Sequence, residues 1–198
     1  MVEEDLTPSK IMTRKAFENS IIVNSAIGGS TNAQMHITAI ARHMGLELET
    51  EAWQNLGYDI PLLANVQPAG KYLTESYHKA GGTAALMGEL LKNKMINGNV
   101  MTASGKILAY NLEGIEIQDE DVIRPINKPL MERAGFCVLK GNLFDAAIMK
   151  TSVISESFRK KFLENKGREG ILEGRAIVFE GSEDYHNRVN DKDLKMDE

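Results

Sequence analysis

Apolar and polar positions alternate with helical spacing through the first half of the chain. Phe17, Ile21 and Ser25 fall on one face of a predicted helix over Arg14–Ile27, although its Ile21–Val23 run also fits a short buried strand. The glycine pair that follows, Gly28–Gly29, ends this helix, since glycine is the usual residue after a helix terminus.

The same reasoning predicts the rest of this half. Ser30 or Thr31 caps a second helix, which Gly45 ends in the left-handed conformation. Its apolar positions are Ile37, Ile40, Ala41 and Met44. Thr50 opens a short helix over 51–56, and Thr83 caps a longer one over 84–95. Between them, residues 60–66 form an apolar run that predicts a buried strand, and Pro61 confines it to a sheet edge or to the strand's first residues.

The pattern changes after residue 100, where short apolar runs lie between turn residues. Strands are predicted over Phe136–Leu139, 147–149 and 176–179, with one helix over 156–164. The acidic stretch 116–121 and the prolines after it place a domain boundary near residue 124. This pattern predicts an α/β or α+β protein with a helical first half, a strand-rich second half and a charged, frayed tail over 191–198.

Composition narrows the class of protein. With 198 residues, of which 42% are hydrophobic, the chain can bury a core. A net charge of −5 without a basic stripe argues against nucleic acid as a partner. Apolar runs fall short of the roughly 20 residues that a membrane span needs, and the polar, acidic start does not resemble a signal peptide. We therefore expect no membrane partner and a cytoplasmic location. The single cysteine, Cys137, excludes an internal disulfide and is predicted to be a buried structural thiol.

The stretch Gly28, Gly29, Ser30, Thr31 and Asn32 is the sharpest candidate for chemistry. A helix N-terminus offers unpaired amide groups and partial positive charge, and glycines allow a ligand to approach closely. The same residues also suffice to cap a helix, so both interpretations stay open; the motif matches neither a P-loop nor GxGxxG. Gly81–Thr83 repeats the pattern more weakly. His36 and His43 share a helix face but lack a third ligand in register, so they predict no metal site.

Five stretches together resemble the middle of the dihydroxy-acid and phosphogluconate dehydratase family, in its order and spacing. They read IMTRKAFENSIIVNSAIGGSTNAQMHITAIARHMG, DIPLLANVQPAGKY, YHKAGGTAALMGELL, IRPINKP and AGFCVLKGNLFDAAIMKTS. Details such as GNLFDAAIMKTSVISESFRKKFL and FEGSEDYHNRV are more similar to the branch that acts on aldonates such as xylonate or arabinonate than to the branched-chain amino-acid branch.

The resemblance implies a hydro-lyase that removes water from a 2,3-dihydroxy carboxylate and gives a 2-keto-3-deoxy acid. In that family an iron–sulfur cluster binds the leaving hydroxyl, Mg²⁺ helps to hold the substrate, and a serine is thought to act as base. The implied fold is an α/β domain followed by a β-barrel-like domain. For this chain it assigns 1–124 to the end of the first domain and 125–198 to the start of the second.

The family's cluster cysteines and magnesium-binding acids lie upstream of the matched stretches, and its catalytic serine lies downstream. We therefore expect this chain to be a central fragment that is inactive alone, without cofactor ligands or catalytic residues of its own. Gly28, Gly29, Ser30, Thr31 and Asn32 are the expected substrate-binding residues. The implied partners are a small sugar acid and further copies of the full-length protein, as a homo-oligomer. Two alternatives remain: a dihydroxy-acid dehydratase of branched-chain amino-acid synthesis, and a non-catalytic remnant that binds a partner or dimerises.

Overall fold

The structure is a computed structural model that describes residues 3–142, 145–163, 167 and 175–194. Its contacts divide the chain into two compact units, Met1–Ile154 and Ser155–Glu198. The first unit contains helices α1 (Pro8–Ile11), α2 (Arg14–Ile27), α3 (Asn32–His43), α4 (Glu51–Gly57), α5 (Thr74–Lys79), α6 (Gly82–Lys92) and α7 (Leu108–Asn111), followed by strands β1 (Phe136–Leu139) and β2 (Ala147–Lys150). In these described ranges, no helix combines the length and the apolar character needed to cross a bilayer.

Helix α2 has the predicted bounds and settles the choice between helix and strand for residues 21–23. It carries two buried faces. Ile22 and Ala26 belong to one apolar cluster, whereas Phe17 and Ile21 belong to another. The helix therefore forms the shared wall of two cores, and its C-terminal end, where the candidate loop begins, is fixed from both sides.

The two cores draw on different parts of the first unit. The larger combines α2 with Leu86 and Leu90 of α6. Buried side chains outside the helices, among them Leu63, Ala64 and Ile123, complete it. The smaller is centred on Trp53 of α4 and Phe136 of β1, whose rings meet edge to face with centroids 5.3 Å apart. Aromatic pairs favour this geometry because the positive ring edge faces the negative ring face.

The predicted strand over 60–66 is not formed as a strand. Leu62 makes an isolated antiparallel bridge with Met131, and Ala64 makes one with Ile123. Between these two bridges, the N–H of Leu63 donates to the carbonyl of Ala26 at the end of α2. Because successive residues find partners in separate segments, the run is buried as expected without joining a continuous ladder.

Helix α3 follows its predicted course but is less buried than its apolar pattern suggests. Ala41 is buried, while Ile37 and Met44 pack against the smaller core. Ile40 remains 43% exposed and Met35 60% exposed. Gly45 has a φ of 72°, so the prediction of a left-handed glycine at the end of this helix is confirmed.

Helix α6 begins and ends earlier than predicted. Gly81, rather than Thr83, precedes its first residue, and Gly81 and Gly82 both have positive φ. The side chain of Thr83 is exposed, and its hydroxyl accepts a hydrogen bond from the Tyr77 hydroxyl at 3.4 Å. The helix stops before Lys94, which has a φ of 59° and turns the chain away.

Strands β1 and β2 confirm two of the three predicted strands. They pair antiparallel, with Phe136 opposite Lys150 and Val138 opposite Ile148. With these helices and this small sheet the fold has mixed α/β character. The unit of Met1–Ile154 continues through position 124, and Leu62 bridges to Met131 on the far side of that position. The domain division near residue 124 stays a prediction.

The second unit differs from expectation in its described residues. The predicted strand over 176–179 is absent there; the Phe179 ring instead packs edge-on against Tyr185, at 5.3 Å between centroids. The predicted helix over 156–164 is split into α8 (Glu156–Phe158) and a π-helical turn (Arg159–Leu163), and residue 164 lies outside the described residues. Helix α9 (Ser182–Arg188) was not predicted. Residues 192–194 of the charged tail form a short 3₁₀ turn, and residues 195–198 lie outside the described residues.

Candidate functional site

Gly28 turns the chain at the end of α2. Its φ and ψ of 66° and 41° are left-handed, and its N–H donates to the carbonyl of Ser25 at 3.0 Å. The next N–H, from Gly29, reaches back to the carbonyl of Asn24 at 2.8 Å. This pair of bonds is a Schellman motif, which satisfies the last carbonyls of a helix and depends on a residue that tolerates positive φ.

The Asn24 side chain shapes the next part of the loop. A Cβ on Gly29 would collide with Oδ1 of Asn24, so a larger residue at position 29 would displace that amide. The Asn24 Nδ2 donates to the carbonyl of Ser30 at 3.3 Å. The loop is thus held by the helix that precedes it, and its conformation does not depend on a ligand.

Ser30 and Thr31 lead into α3. The Ser30 hydroxyl accepts a hydrogen bond from the N–H of Asn32 at 3.1 Å, whereas the Thr31 side chain makes no capping bond. The N–H groups of Ser30 and Thr31 have no acceptor among the described residues. The first turn of α3 also lacks an acidic side chain. The partial positive charge of this helix end is therefore uncompensated, as is typical of places where anions bind.

The inner side of Gly28 faces a wall that sequence reasoning did not find. A Cβ placed on Gly28 would lie 2.8 Å from Cδ1 of Leu62, 3.1 Å from Cβ of Ala69 and 3.3 Å from Oγ of Ser152. From the sequence, Ser152 is one of several serines outside any nucleophile motif. Because Ser152 and Gly28 are so far apart in the chain, local sequence carries no signal of this contact.

The weaker candidates stay apart from this loop. The residues of Gly81–Thr83 form the start of α6. His36 and His43 are both exposed on α3. Groups of three or more His, Cys, Asp or Glu residues arranged to hold a metal ion do not occur among the described residues.

Cys137 does not change that conclusion. It lies on β1 opposite Met149, is partly buried, and burial raises the pKa of its thiol. A thiolate is the form that binds metal, and an iron–sulfur cluster takes several cysteine ligands. The described residues therefore do not fit an iron–sulfur cluster or a magnesium site.

An apolar groove of about 470 Å³ lies elsewhere, between α6 and residues 107–114. Leu91, Ile107, Tyr110 and Leu112 line it, with Lys92 and Glu113 among its few charged residues. It shares no residue with the candidate loop, so we assign it no part in that site.

Two family models match most of this chain. Residues 1–111 match the N-terminal domain of dihydroxy-acid/6-phosphogluconate dehydratases, and residues 121–198 match the C-terminal domain. A D-xylonate dehydratase of Caulobacter vibrioides is 55% identical over 195 residues, which are 98% of this chain and 33% of that protein.

Other relatives are less similar. An L-arabinonate dehydratase of Rhizobium leguminosarum is 39% identical over 199 residues, covering 100% of this chain and 32% of that protein. A dihydroxy-acid dehydratase of Caldicellulosiruptor saccharolyticus is 36% identical over 181 residues, covering 91% of this chain and 32% of that protein. The chain spans about a third of the length of these relatives. Two matching domain models, together covering nearly the whole chain, establish that it belongs to the dihydroxy-acid/6-phosphogluconate dehydratase family.

Proposed function

We propose that this chain is the substrate-binding central part of a hydro-lyase that dehydrates a sugar acid. In this reaction an aldonate loses its C2 proton and its C3 hydroxyl as water, and the resulting enol becomes a 2-keto-3-deoxy acid. The single observation that carries the assignment of the site is the pair of unpaired N–H groups of Ser30 and Thr31 at the start of α3. They are suited to a carboxylate because the helix end is positive and uncompensated.

The loop contributes by binding and orienting the substrate. Gly28, Gly29, Ser30, Thr31 and Asn32 form its substrate-binding residues in this proposal. Asn24 holds the carbonyl of Ser30, so the amide groups are positioned before a ligand arrives. Donors fixed in advance stabilise developing charge better than groups that must first reorganise.

The identities of the relatives support the sugar-acid branch. The xylonate and arabinonate enzymes are 55% and 39% identical to this chain, whereas the dihydroxy-acid dehydratase is 36% identical. One feature supports the alternative of a non-catalytic remnant, namely the exposed side chains of Met35 and Ile40 on α3. Exposed apolar side chains of this kind also fit a face covered by another part of a longer polypeptide or by a second copy in a homo-oligomer.

The proposed reaction also needs cofactors and a catalytic base that the described residues do not supply. The iron–sulfur cluster and Mg²⁺ of the family supply Lewis-acid chemistry when bound, and we place their ligands, with the catalytic serine, outside this chain. The antiparallel pair β1–β2 is consistent with the start of a β-barrel-like domain after residue 124. We further propose a cytoplasmic enzyme.

A chimera tests the proposal directly. In it, this chain replaces the matching third of the Caulobacter D-xylonate dehydratase, and the protein is assayed for 2-keto acid formation from D-xylonate. We expect turnover by the chimera and none by the chain alone. Thr31→Pro removes one amide donor, and the φ of −62° at Thr31 already matches the value that the proline ring fixes. This variant should raise KM by about tenfold. A folded chimera with its cofactors bound but without turnover would refute the proposal.

A further inference from the structure

The end of β2 runs beside the last turn of α2. Thr151 donates two hydrogen bonds to the carbonyl of Gly135, from its hydroxyl at 2.6 Å and from its N–H at 3.0 Å. A Cβ on Gly135 would lie 3.2 Å from Cβ of Ser25. One residue further along, Ser152 reaches the inner side of Gly28. Residues 150–152 therefore follow the helix to the candidate loop.

The hydroxyl of Ser152 is buried and unsatisfied. Ser152 is 4% exposed, and its Oγ has no hydrogen-bond partner in the part of the chain that the structure describes. A buried hydroxyl without a partner destabilises the folded state, and buried polar atoms are nearly always paired. In the ligand-free chain this group therefore lacks the acceptor or donor that would compensate its burial.

A second group without a partner lies two residues earlier. Lys150 is partly buried, with no hydrogen-bond or ion-pair partner among the described residues, and burial lowers the pKa of its ammonium. It is paired across the sheet with Phe136. Side chains alternate along a strand, so Lys150 lies on the same face as Ile148, which packs against the smaller core. Lysine is almost never fully buried unless it is paired, so the partly buried ammonium of Lys150 is suited to an incoming counter-charge.

We propose that Lys150 and Ser152 extend the substrate site of the Gly28–Asn32 loop, with the Lys150 ammonium pairing with the sugar-acid carboxylate and the Ser152 hydroxyl bonding to a substrate oxygen. The inference rests on the proposed function for the class of ligand. Cδ1 of Leu62, Cβ of Ala69 and Oγ of Ser152 all lie within 3.3 Å of the position that a Cβ on Gly28 would take, so the missing Cβ leaves the hydroxyl beside the loop.

Binding to the 198-residue chain tests Lys150 without any need for turnover. D-xylonate is titrated by calorimetry, with the neutral polyol xylitol and with acetate as comparison probes. We expect saturable binding of D-xylonate, weaker binding of acetate and none of xylitol. Lys150→Met should weaken D-xylonate binding at least tenfold, about the effect of losing one charge-assisted contact. Lys140→Met is the matched control, because Lys140 is exposed and paired with Glu51, and it should bind normally. Absence of saturable binding, or equal affinity in Lys150→Met, overturns the inference.

Ser152→Ala separates a binding role from a structural one. If the hydroxyl awaits a ligand, its removal raises the urea midpoint of the free chain and weakens D-xylonate binding. A purely structural serine would give a lower midpoint, and that result, or unchanged binding, overturns the role of Ser152.

The chimera distinguishes failure of this inference from failure of the proposed function. Lys150→Met should raise KM for D-xylonate by about tenfold with little change in kcat. Turnover with an unchanged KM in this variant contradicts the inference and leaves the function intact. Binding of D-xylonate through Lys150 in the chain, combined with a folded, cofactor-loaded chimera that does not turn over, contradicts the function and supports the inference.

Discussion

The side chain of Asn19 holds the backbone of Asn97 through two hydrogen bonds. Its Nδ2 donates to the Asn97 carbonyl at 2.8 Å, and its Oδ1 accepts from the Asn97 N–H at 2.7 Å. Asn19 is only 5% exposed and lies on α2, whereas Asn97 lies in the loop after α6. One buried amide thus joins the helix before the candidate loop to the far side of the larger core.

Asn19→Ala should therefore destabilise the first unit. The substitution leaves a backbone donor and a backbone acceptor without their partners, at a cost of about 2 kcal/mol in the free energy of unfolding. Urea unfolding followed by the fluorescence of Trp53, the single and fully buried tryptophan, measures the change. Asn99→Ala, at an exposed position in the same loop, should change the free energy by less than about 0.5 kcal/mol. Equal effects of the two substitutions would contradict the assignment.

Gly28→Ala and Gly45→Ala separate backbone strain from close contact. Both glycines have φ near 70°, but a Cβ on Gly45 meets nothing within 4 Å, whereas one on Gly28 lies 2.8 Å from Leu62. Gly45→Ala should cost about 1 kcal/mol from the left-handed backbone alone. Gly28→Ala should cost about 1 to 2 kcal/mol more, because Leu62 is buried and cannot move freely. Equal unfolding free energies of these two variants would show that the wall around Gly28 is looser than described.

The ion pair of Glu51 and Lys140 predicts a pH dependence. Lys140 donates to Glu51 at 2.6 Å, and this hydrogen bond lowers the pKa of Glu51 and raises that of Lys140. Stability from the lowered carboxyl pKa is present above the unfolded pKa of Glu51 and is lost as the pH falls through the folded one. Stability from the raised ammonium pKa is present below the unfolded pKa of Lys140 and is lost as the pH rises through the folded one.

Lys140→Met should return the pKa of Glu51 toward its ordinary value, and a carboxyl-detected NMR titration measures this change. Lys128→Met, at another exposed lysine, is the control and should leave the pKa of Glu51 unchanged. A Glu51 pKa that does not respond to Lys140→Met would mean that the pair does not form in solution.

Cys137 should react slowly for a free cysteine. Partial burial on β1 raises the pKa of its thiol, which lowers the fraction of reactive thiolate near neutral pH. Alkylation by iodoacetamide, followed by mass spectrometry, should be slower in the folded chain than in urea. The chain has one cysteine, so the modified mass reports this site alone. Equal rates with and without urea would contradict the described position of Cys137.

Local signals account for much of the fold. Helix α2 and strand β1 match their predicted bounds because apolar spacing, glycine pairs and turn residues act within a few positions. Residues 60–66 were misread because their partners, Met131 and Ile123, come from separate segments that no local pattern reveals. The strand predicted over 176–179 is not formed for a related reason, since among the described residues no strand pairs with this apolar run.

The candidate site, too, could be predicted from the sequence only in part. The loop of Gly28–Asn32 could be predicted because glycine pairs end helices and Ser or Thr residues cap them. Gly28 has the positive φ that such a turn requires. The contact of Ser152 with this loop was not identified, because tertiary packing alone brings the chain after β2 to it; the part of Lys150 in the site is a proposal. The role of the loop as a substrate site stays a prediction.

Substrate preference of the chimera tests the central claim most directly. The measurement is the ratio of kcat/KM for D-xylonate to kcat/KM for 2,3-dihydroxyisovalerate in the chimera that carries this chain. We predict a ratio well above one, and we predict that Lys150→Met lowers kcat/KM for both substrates, because both carry the carboxylate with which the proposed ammonium pairs. A ratio below one, in a chimera that folds and retains its cofactors, would contradict the account.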